Sequence, residues 1–454
     1  MRRARAAASA LAACALSAAC ARPDTEGLPN LVLLSLDTLR ADHLSCYGYP
    51  VATSPELDAF AERATRYTRA RSTAPWTLPA HASMFTGLLP FEHGAHGEKV
   101  DDLRNNARPL SGDAVTIAEL LSSVGYRTQA FVTNEVFLAP HYELGQGFDS
   151  WFVRPGRSGD LHERAVLPWL RRAEPPFFLF VNYMDTHRPY ASNEREGLLP
   201  RPVGRDSGAL LDKLYTPVLS GAGRRDAPAM QRLVDQYDTA IANLDEELGR
   251  LFDELEALGL FEDALVIVTS DHGEYFGEHD LIEHSKDVYE GALAVPLIVK
   301  HPGQRHGGIV DEPTSIASVP RLLLEALPEE RRAELAARLP REAPGRPVVA
   351  ENYYSRAREL VGQPWGDRFR RVRRVLYEGD WKYVEGTDGT RELYDLAADP
   401  AEERDRAADE PERLAELRAR LEAVLGAPRA RFVTSAVRDW SPEERSALKD
   451  LGYF

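Results

Sequence analysis

The sequence has little cysteine, with three residues in a chain of 454. Cys14 and Cys20 lie within the first twenty residues, so a chain that loses this segment keeps only Cys46 and forms no internal disulfide. Long apolar runs are also missing after the N terminus, where no stretch approaches the roughly 18 uninterrupted apolar residues of a transmembrane helix. These absences predict a mature protein that is stabilised by packing and has no membrane-spanning helix.

Positive charge is in deficit as well. The 55 lysine and arginine residues are outnumbered by 71 aspartate and glutamate residues, which gives a net charge of −16. Binding to nucleic acids or to anionic membranes calls for basic patches, so we expect no nucleic-acid partner. A length of 454 residues allows a large core, in two or three domains or in one α/β domain with an appendage.

The first twenty residues have the pattern of an export signal, with arginines, a short alanine-rich run and small residues before a cysteine. We therefore interpret residues 1–20 as a signal peptide. Ser17 to Cys20 loosely resembles a lipoprotein cleavage box with Cys20 as lipid acceptor, whereas Leu11 to Cys14 fits the box better but follows too short an apolar run. The protein is expected to be exported, as a periplasmic protein, a membrane-anchored lipoprotein or an extracellular protein, with membrane contact only through a lipid anchor.

Apolar runs typical of buried parallel strands alternate with helical patterns along the chain. Strands are predicted at 30–36, 128–134, 176–185, 264–271 and 295–300. Helices are predicted to start at Ser54-Pro55, to run over 113–124, and to extend from about 228 to 257. This alternation predicts a large doubly wound α/β sheet domain.

The pattern changes after about residue 345. Short antiparallel strands are predicted within "RVRRVLYEGDWKYVEGTDGTRELYDL", followed by the charged helix "PERLAELRARLEAVLG". We divide the mature chain into a main domain at 29–345, a smaller C-terminal α+β subdomain at 346–430 and a helical tail at 431–454. The tail helix is predicted to start at Ser441, with Pro442 in its first turn and Glu444 at the capping-box position.

Polar residues follow several predicted strands, at the edge where open α/β sheets bind their ligands. They are Asp37, Asn134, Asp185, Asp271 and His272. Carboxylates suit a hard divalent cation, and a histidine next to an aspartate adds a nitrogen ligand. Any one of these residues alone also fits a helix cap, but the group together predicts a metal site.

Several motifs occur in a fixed order between about residue 29 and residue 425. They are "SLDTLRADH" around Asp37, "TLPAHASMFTG", "FFLFVNYMDTHRPY", "SDHGE", "YEGALAVPLIVKHPG" and "WKYVEG" with "RELYDLAADPAEE". Together they resemble the sulfatases of the alkaline phosphatase superfamily. The resemblance implies an alkaline-phosphatase-like sheet domain at 29–345 that carries the catalytic site, a smaller C-terminal sheet domain, and a divalent metal at the carboxyl edge of the sheet.

The nucleophile region departs from this family. The sulfatase pattern C-x-P-S-R-x-x-L-x-T-G begins at Thr77 here, where the family has a Cys or Ser that is oxidised to formylglycine. The pattern meets Pro79, has His81 in place of Arg and Met84 in place of Leu, and closes on Thr86-Gly87. Oxidation of a threonine would give a ketone rather than an aldehyde, so we expect no formylglycine.

Other positions of the resemblance differ too. The Asp-Asp pair of the family is Asp37-Thr38 here, which removes one carboxylate from the expected metal shell. The family's Lys-x-His becomes Thr133-Asn134-Glu135, so the sulfate-gripping lysine is missing. A further family lysine falls on Ser285, with His284 and Lys286 on either side.

The resemblance assigns roles to nine residues. A threonine hydroxyl attacks only after a metal or a base has taken up its proton, so Thr77 is predicted to work beside the cation. Candidates to act with it are His187 and His284, as leaving-group acid, as oxyanion contacts, or as ligands of a second ion with Asp185. His81 is interpreted either as an imidazolium or as a neutral ligand. The predicted set is Thr77, His187 and His284 for catalysis, His81, Lys286 and Asn134 for substrate binding, and Asp37, Asp271 and His272 for metal binding.

The loss of formylglycine separates the candidate substrates. A formylglycine hydrate releases sulfate by breaking its own C–O bond, whereas a phospho-threonine can be attacked by water at phosphorus. We therefore favour a hydrolase of phosphoesters or phosphodiesters, with a small-molecule, glycan or lipid ester as substrate. The alternatives are sulfate-ester hydrolysis, phosphotransfer, and a non-catalytic binding protein on the same fold. The predicted cofactor is one divalent metal, calcium, zinc or manganese, with a second metal and the oligomeric state left open.

Overall fold

The structure is a computed structural model. It describes residues 25–97, 107–190, 198–199, 203–221, 226–340, 347–353 and 363–426, with the single residues 359, 432, 442 and 446. The predicted signal peptide at 1–20, the boundary at 345–346, and Ser441 and Glu444 of the predicted tail helix lie outside the described residues. Over the described ranges, no helix combines the length and the apolar character needed to cross a membrane.

The sheet at the centre of the molecule has eight strands. The strands of the chain are β1 (Leu31–Leu36), β2 (Thr65–Tyr67), β3 (Ala70–Arg71), β4 (Arg127–Val132), β5 (Ser150–Val153), β6 (Phe177–Tyr183), β7 (Leu265–Thr269), β8 (Tyr275–Phe276), β9 (Ile282–Glu283), β10 (Leu297–Lys300), β11 (Gly308–Val310), β12 (Thr314–Ser315), β13 (Val348–Asn352), β14 (Arg373–Glu378), β15 (Trp381–Gly386) and β16 (Arg391–Asp395). The central order is β11-β2-β10-β7-β1-β6-β4-β5. Strands β7, β1, β6, β4 and β5 are parallel, as the continuous apolar runs predicted.

Strand β10 shows a limit of that prediction. Its apolar run resembles those of the parallel strands, yet β10 pairs with β7 in antiparallel orientation. Burial on both faces produces the same apolar run in either direction, so the sequence pattern does not report strand polarity. The sheet is therefore mixed, and the prediction of a large α/β sheet domain with a smaller C-terminal sheet is confirmed.

Helices cover both faces of this sheet. They are α1 (Pro55–Ala61), α2 (Thr77–Thr86), α3 (Pro90–His93), α4 (Ile117–Ser123), α5 (Ser158–Leu161), α6 (Leu167–Leu170), α7 (Ser207–Leu219), α8 (Ala227–Ala257), α9 (Glu290–Leu293), α10 (Val319–Glu325), α11 (Glu329–Ala336) and α12 (Pro411–Gly426). Helix α4 begins later than the predicted 113, because Thr116 and Glu119 form a capping box there. The long predicted helix corresponds to α8.

Alternate residues of β1 belong to different hydrophobic clusters. Val32 and Leu34 pack on the side of the sheet that carries α8, whereas Leu31 and Leu33 pack on the side that carries α2 and α10. All six residues of β1 are buried, so this strand lies at the centre of both clusters. The carboxyl end of β1, and the residues that follow it, are therefore buried inside the protein.

The C-terminal part forms a separate four-stranded antiparallel sheet, β13-β14-β15-β16, against which α12 packs. Its small core includes Leu376, Leu393, Leu417 and Leu421. The sheet matches the predicted α+β subdomain in kind, while the predicted domain boundaries stay predictions. The site described next lies in the main domain, where β1 and β7 end side by side.

Candidate active site

Three buried side chains converge at the carboxyl ends of β1 and β7, and we call them the metal cluster: Asp37, Asp271 and His272. One ligand atom from each lies within 4.8 Å of the others. His272 Nε2 is 3.9 Å from Asp37 Oδ1 and 3.4 Å from Asp271 Oδ2. These three atoms have no hydrogen-bond partner among the described residues. Buried polar atoms are rarely left in this state, so they mark a binding position.

The remaining polar atoms of the metal cluster are engaged by the protein. Asn134 Nδ2 donates to Asp37 Oδ2 at 3.0 Å, and two backbone amides donate to Asp271 Oδ1 at 3.2 and 2.9 Å. His272 Nδ1 donates to the carbonyl of Gly273 at 2.9 Å, which leaves the lone pair on Nε2. The surrounding hydrogen bonds therefore direct one oxygen of each carboxylate and one ring nitrogen toward a common point.

Within the described part of the chain, the two buried carboxylates of the metal cluster have no positive charge beside them that balances theirs, which favours binding of a cation. Burial, and then the charge of Asp271, raise the pKa of Asp37 to about 8. Burial raises the pKa of Asp271 to about 7, and burial lowers the pKa of His272. Two carboxylates and a neutral imidazole in a dry pocket fit a divalent cation, which would offset both negative charges. Two oxygens and one nitrogen leave the identity of the metal open.

Thr77 lies beside the metal cluster as the first residue of α2, and it is fully buried. Its hydroxyl lies beside the carboxylate of Asp271, and Asn134 Nδ2 lies 3.5 Å from its Oγ1. The residue before it, Trp76, has no side-chain oxygen that could accept from the first amides of the helix. The helix N terminus thus presents a hydroxyl, backbone amides and a partial positive charge at one point.

His81 departs from the predicted substrate-binding role. Its Nδ1 donates to the carbonyl of Thr77 at 2.9 Å, and its Nε2 accepts from the hydroxyl of Ser35 at 2.9 Å. Burial lowers the pKa of His81 to about 3, so the ring is neutral and the imidazolium interpretation is not supported. Because both nitrogens are engaged within the protein, the contacts favour a role in positioning the first turn of α2 over direct contact with substrate.

The two predicted catalytic histidines, His187 and His284, lie near His272. The ring centroids of His272 and His284 are 4.6 Å apart, and those of His284 and His187 are 5.1 Å apart. His187 Nδ1 donates to the carbonyl of Arg188 at 2.8 Å, and His284 Nδ1 donates to Glu274 at 3.3 Å. The structure thus brings both histidines to the metal cluster, while their catalytic roles stay predictions.

Asp185 does not join these histidines. Its carboxylate accepts from the amide of Ser158 at 3.3 and 3.1 Å and from the Ser158 hydroxyl at 3.0 Å. It therefore holds the first residue of α5. In the part of the chain that the structure describes, the metal cluster is the group of side chains with ligand atoms close enough for an ion. A second ion bound through Asp185 is not supported.

The structure also shows the contacts of Thr38 and Asn134. Thr38 replaces the second carboxylate, and its hydroxyl donates to the carbonyl oxygens of Asp37 and Thr186, both at 2.7 Å, rather than to the metal cluster. Thr38 has a φ of 61°, an unusual backbone conformation for a β-branched residue. Asn134, predicted to bind substrate, contacts Asp37 and Thr77 directly, so it orients the site.

Sequence reasoning missed the carboxylates around Lys286. Its Nζ lies 3.4 Å from Glu283 and 3.3 Å from Glu359, so the predicted substrate-binding lysine belongs to an internal ion-pair network. The side chains of all three residues are fully buried. Glu283 lies three residues before the lysine and was visible in the motif "IEHSKD", but Glu359 is distant in sequence and no local pattern connects it to the site.

Comparisons with known proteins agree with this architecture. A family model described as Sulfatase matches residues 29–328. The chain belongs to the sulfatase family. The ulvan-active sulfatase of Formosa agariphila is 26% identical to this sulfatase-family chain over 414 residues, covering 82% of the chain and 76% of the relative. Human arylsulfatase A is 26% identical over 343 residues, covering 67% and 64%.

Solved structures show the same fold. The phosphonate monoester hydrolase of Agrobacterium radiobacter superimposes with a TM-score of 0.65 at 21% identity, covering 87% of this chain and 95% of that one. A protein solved in complex with its substrate D-glucosamine-2-N,6-O-disulfate gives a TM-score of 0.66 at 19% identity, covering 87% and 97%. The predicted family and fold are confirmed, and this sulfatase-family chain is an ester hydrolase of the superfamily.

Proposed function

We propose that this sulfatase-family hydrolase is an exported, metal-dependent enzyme that cleaves phosphodiesters or related phosphorus esters with Thr77 as its nucleophile. The observation that carries the proposal is the position of the Thr77 hydroxyl, which lies at the N terminus of α2, beside Asp271 and 3.5 Å from Asn134 Nδ2. The fold itself is shared by sulfatases and by phosphonate monoester hydrolases, so it leaves the choice between sulfur and phosphorus open. A threonine at position 77 favours phosphorus esters over sulfate esters, because water can attack the phosphorus of a phospho-threonine to release it.

Asp37, Asp271 and His272 would hold the divalent cation, which when bound supplies Lewis acidity that lowers the pKa of a neighbouring hydroxyl. The Thr77 hydroxyl gives its proton to solvent and its Oγ1 attacks phosphorus, so that an O–P bond forms to Thr77 and the bond to the leaving alcohol breaks. The leaving oxygen takes a proton from the imidazolium form of His284, whose ring centroid lies 4.6 Å from that of His272, or of His187, whose ring centroid lies 5.1 Å from that of His284. Water then attacks phosphorus and gives a proton back to that histidine, the bond to Thr77 breaks, and the Thr77 oxygen regains a proton from solvent.

Other residues of the chain stabilise charge along this path. The side-chain amide of Asn134, 3.5 Å from Thr77 Oγ1, donates to the oxygen as it loses its proton. The backbone amides of the first turn of α2 favour a negatively charged ester beside Thr77. Burial of the site keeps bulk water away from these interactions and strengthens them.

The alternative functions have weaker support. A sulfate group transferred to Thr77 has no C–O cleavage route for its release, so sulfate esters are expected to turn over slowly. A non-catalytic binding protein has no need for three orphaned ligand atoms beside a helix N terminus, whereas these atoms fit a catalytic cation.

Export is proposed from residues 1–20 alone, which lie outside the described residues. Fractionation of cells that produce the full chain tests it, because the protein should appear outside the cytoplasm. A Cys20→Ser variant that leaves the membrane fraction would indicate lipidation at Cys20. An unchanged cytoplasmic location for the full chain would contradict the proposal.

Kinetics of Thr77→Ala test the proposed reaction. The substrates are bis(4-nitrophenyl) phosphate, 4-nitrophenyl phosphate and 4-nitrophenyl sulfate, assayed with added manganese, zinc or calcium. We expect the wild type to prefer the phosphorus esters in kcat/KM by about a hundredfold or more over the sulfate, and Thr77→Ala to lose at least about a thousandfold. Rapid quenching should yield a phosphorylated peptide that contains residue 77.

The matched control is Thr239→Ala. Thr239 is also a buried helical threonine, and its hydroxyl donates to the carbonyl of Asp235 within α8 at 2.8 Å. Its loss should leave kcat/KM within about threefold of wild type, since the hydroxyl that is removed bonds to a backbone carbonyl of its own helix. Full activity in Thr77→Ala, or a preference for the sulfate ester, would overturn the proposed function.

A further inference from the structure

The fully buried carboxylate of Glu283 contacts a cation from each of the two segments that carry the proposed acids. It forms an ion pair with Arg188, which directly follows His187 in the chain. It also lies 3.4 Å from Lys286 Nζ, two residues after His284. The Arg188 side chain is 5% exposed and the lysine side chain is fully buried, so both contacts form away from solvent. One carboxylate therefore joins the two histidine-bearing segments.

Each of these cationic residues in turn contacts a histidine or its backbone. His187 Nδ1 donates to the carbonyl of Arg188 at 2.8 Å, so the backbone of this arginine orients the His187 ring. Lys286 Nζ donates to the carbonyl of His284 at 3.2 Å. Two short series of contacts thus run from one carboxylate to both histidines, whose ring centroids are 5.1 Å apart.

The backbone on either side of His284 is in an unfavourable conformation. Glu283 has a φ of 59° and Ser285 has a φ of 69°, a region that costs free energy for residues with a Cβ. Ser285 is held there by its backbone, which donates to the carbonyl of Pro75 at 2.9 Å and accepts from Asn352 Nδ2 at 3.1 Å. The side chain of Glu283 is held by its two cations. Such conformations persist where surrounding contacts impose them, so loss of the Glu283 contacts should let this segment relax.

A small displacement of a histidine is enough to affect the proposed reaction. An acid transfers its proton efficiently when it lies within hydrogen-bond reach of the leaving oxygen, about 2.6–3.2 Å. A misplacement of about 1 Å can cost about a hundredfold in rate. The cost depends on the leaving group, because a stable anion departs with little help from an acid.

We propose that Glu283 is a positioning residue, which fixes His187 and His284 for protonation of the leaving oxygen by acting through Arg188 and Lys286. The inference rests on the proposed function, in which one of these histidines is the acid. Breaking the Glu283 contacts should slow the cleavage of esters with basic leaving groups far more than that of esters with stable leaving groups. A carboxylate that only stabilises the fold would affect both kinds of ester equally.

The first test compares diphenyl phosphate with bis(4-nitrophenyl) phosphate, two diesters of the same charge, in the metal-loaded protein. The nitro group stabilises the leaving 4-nitrophenolate, whereas phenolate is about as basic as the tyrosine side chain, with a pKa of about 10. In Glu283→Gln, kcat/KM should fall by about a hundredfold for diphenyl phosphate and by less than about tenfold for the nitrophenyl diester. The parameter kcat/KM is used because it includes the step in which the alcohol leaves.

The matched control is Asp212→Asn. Asp212 is a second carboxylate on Arg188, at 3.2 Å, but its side chain is 68% exposed. Its substitution leaves the Glu283 contact in place, so the ratio of the two substrates should equal that of wild type.

Arg188→Met breaks the same ion pair from the other side and leaves Glu283 next to Lys286. It should change the substrate ratio in the same direction as Glu283→Gln, by about tenfold or more. This variant also provides the test if Glu283→Gln does not fold, because it breaks only one of the two contacts of Glu283 with a cation.

Crystal structures of wild type, Glu283→Gln and Arg188→Met test the positioning without turnover. The His187 or His284 ring should lie at least about 1 Å from its wild-type position in each variant. Rings that stay in place, or an equal loss of kcat/KM for both diesters, would overturn the inference and leave the proposed function intact. A wild type that cleaves neither diester overturns the proposed function instead, and the ring positions still decide whether Glu283 positions the histidines.

Discussion

The metal cluster and a second group of buried charges beneath the C-terminal sheet differ in how their charges are balanced. In this second group, which we call the interface cluster, Arg373 Nη2 lies 2.8 Å from Glu392 and its Nε lies 3.1 Å from Asp287. Lys382 Nζ lies 3.0 Å from Glu290 and 2.6 Å from Glu402. Asp287 and Glu290 precede the C-terminal sheet in the chain, so two of these four contacts, Arg373–Asp287 and Lys382–Glu290, tie that sheet to the main domain.

The metal cluster gathers charges of one sign and leaves ligand atoms without partners. The interface cluster surrounds each of its cations with carboxylates. A buried charge with an opposite partner holds the fold together, because removing one member leaves the other uncompensated. Buried groups that carry the same charge destabilise the fold, and they are retained where a bound ligand supplies the opposite charge. Burial alone therefore does not distinguish a structural cluster from a site, whereas charge balance does.

The largest effect is expected from Asp271→Asn in the metal cluster. Loss of one ligand should lower kcat/KM by about ten-thousandfold, while the metal-free protein should be as stable as wild type or more stable, since one of two repelling carboxylates is gone. Steady-state kinetics and urea unfolding in chelator measure the two effects. A metal-free variant that is clearly less stable than wild type would contradict the contrast between the clusters.

The control for that experiment is Asp245→Asn. Asp245 is a buried carboxylate that accepts from the amides of Glu56 and Leu57 at 2.8 and 2.9 Å, at the start of α1. This substitution should reduce stability by about 1 kcal/mol through the weakened helix start and leave kcat unchanged. It separates the effect of losing a buried aspartate from the effect of losing a metal ligand.

The next largest effect is expected from Arg373→Met in the interface cluster. Asp287 and Glu392 would be left facing each other, so the free energy of unfolding should fall by about 3–5 kcal/mol, with kcat per folded molecule retained. Denaturant unfolding and active-site titration measure both quantities. Arg418→Met, which breaks the exposed pair with Glu422, should change stability by less than about 1 kcal/mol.

A smaller effect is expected from adding metal. At a free concentration of one hundred times its Kd, the metal should raise the free energy of unfolding of the wild type by about 2.7 kcal/mol. Arg373→Met should keep this increment and Asp271→Asn should lose it, since only the second variant lacks a ligand. Thermal unfolding with and without manganese provides the measurement, and an equal increment in both variants would place the ion elsewhere.

The smallest effect concerns pH in the absence of metal. Burial raises the pKa values of Asp37 and Asp271 to about 8 and about 7, so the folded state binds more protons than the unfolded state above pH 4. Their contribution to stability is complete below the ordinary pKa near 3.8 and is lost as the pH rises through 7 to 8. Melting temperatures in chelator should therefore fall by a few degrees between pH 5.5 and 8.5.

Saturating metal should reverse this trend, because protons and the cation compete for the same oxygens. Burial also raises the pKa of Glu402 to about 7, and that carboxylate contributes in the same direction. The contribution of Glu402 is the same with and without metal. Subtracting the metal-free melting temperature from the metal-loaded one at each pH therefore leaves the contribution of the metal cluster. If the melting temperatures with and without metal changed with pH in parallel, metal binding would not depend on the protonation of Asp37 and Asp271, which would contradict this prediction.

The sequence alone predicts most of the site because parallel strands deliver their following residues to one edge. Asp37 and Asp271 follow adjacent strands in register, so their proximity follows from the strand pattern. Thr77 is located by a motif that includes Pro79 and the glycine that ends α2. These signals are local in the chain, and the structure places each of these residues as expected.

The parts that could not be predicted depend on contacts between distant segments. Asp37 directly follows β1, whereas Asp185 lies two residues after the end of β6, and its side chain turns toward Ser158, a contact with a distant segment. The partners of Lys286 come from two segments of the chain, and one of them, Glu359, has no local signal. The antiparallel direction of β10 could not be predicted either, because a strand buried on both faces has the same apolar run in either direction.

The threonine that begins α2 also bears on how the protein can be made. A nucleophile made by oxidation of a cysteine exists only after a chemical conversion of the synthesised chain, so incomplete conversion gives a mixture of converted and unconverted chains. Here the proposed nucleophile, the Thr77 hydroxyl, is encoded directly. We expect heterologous expression in any host to yield chemically uniform protein at this position, so specific activity should report only folding and metal loading.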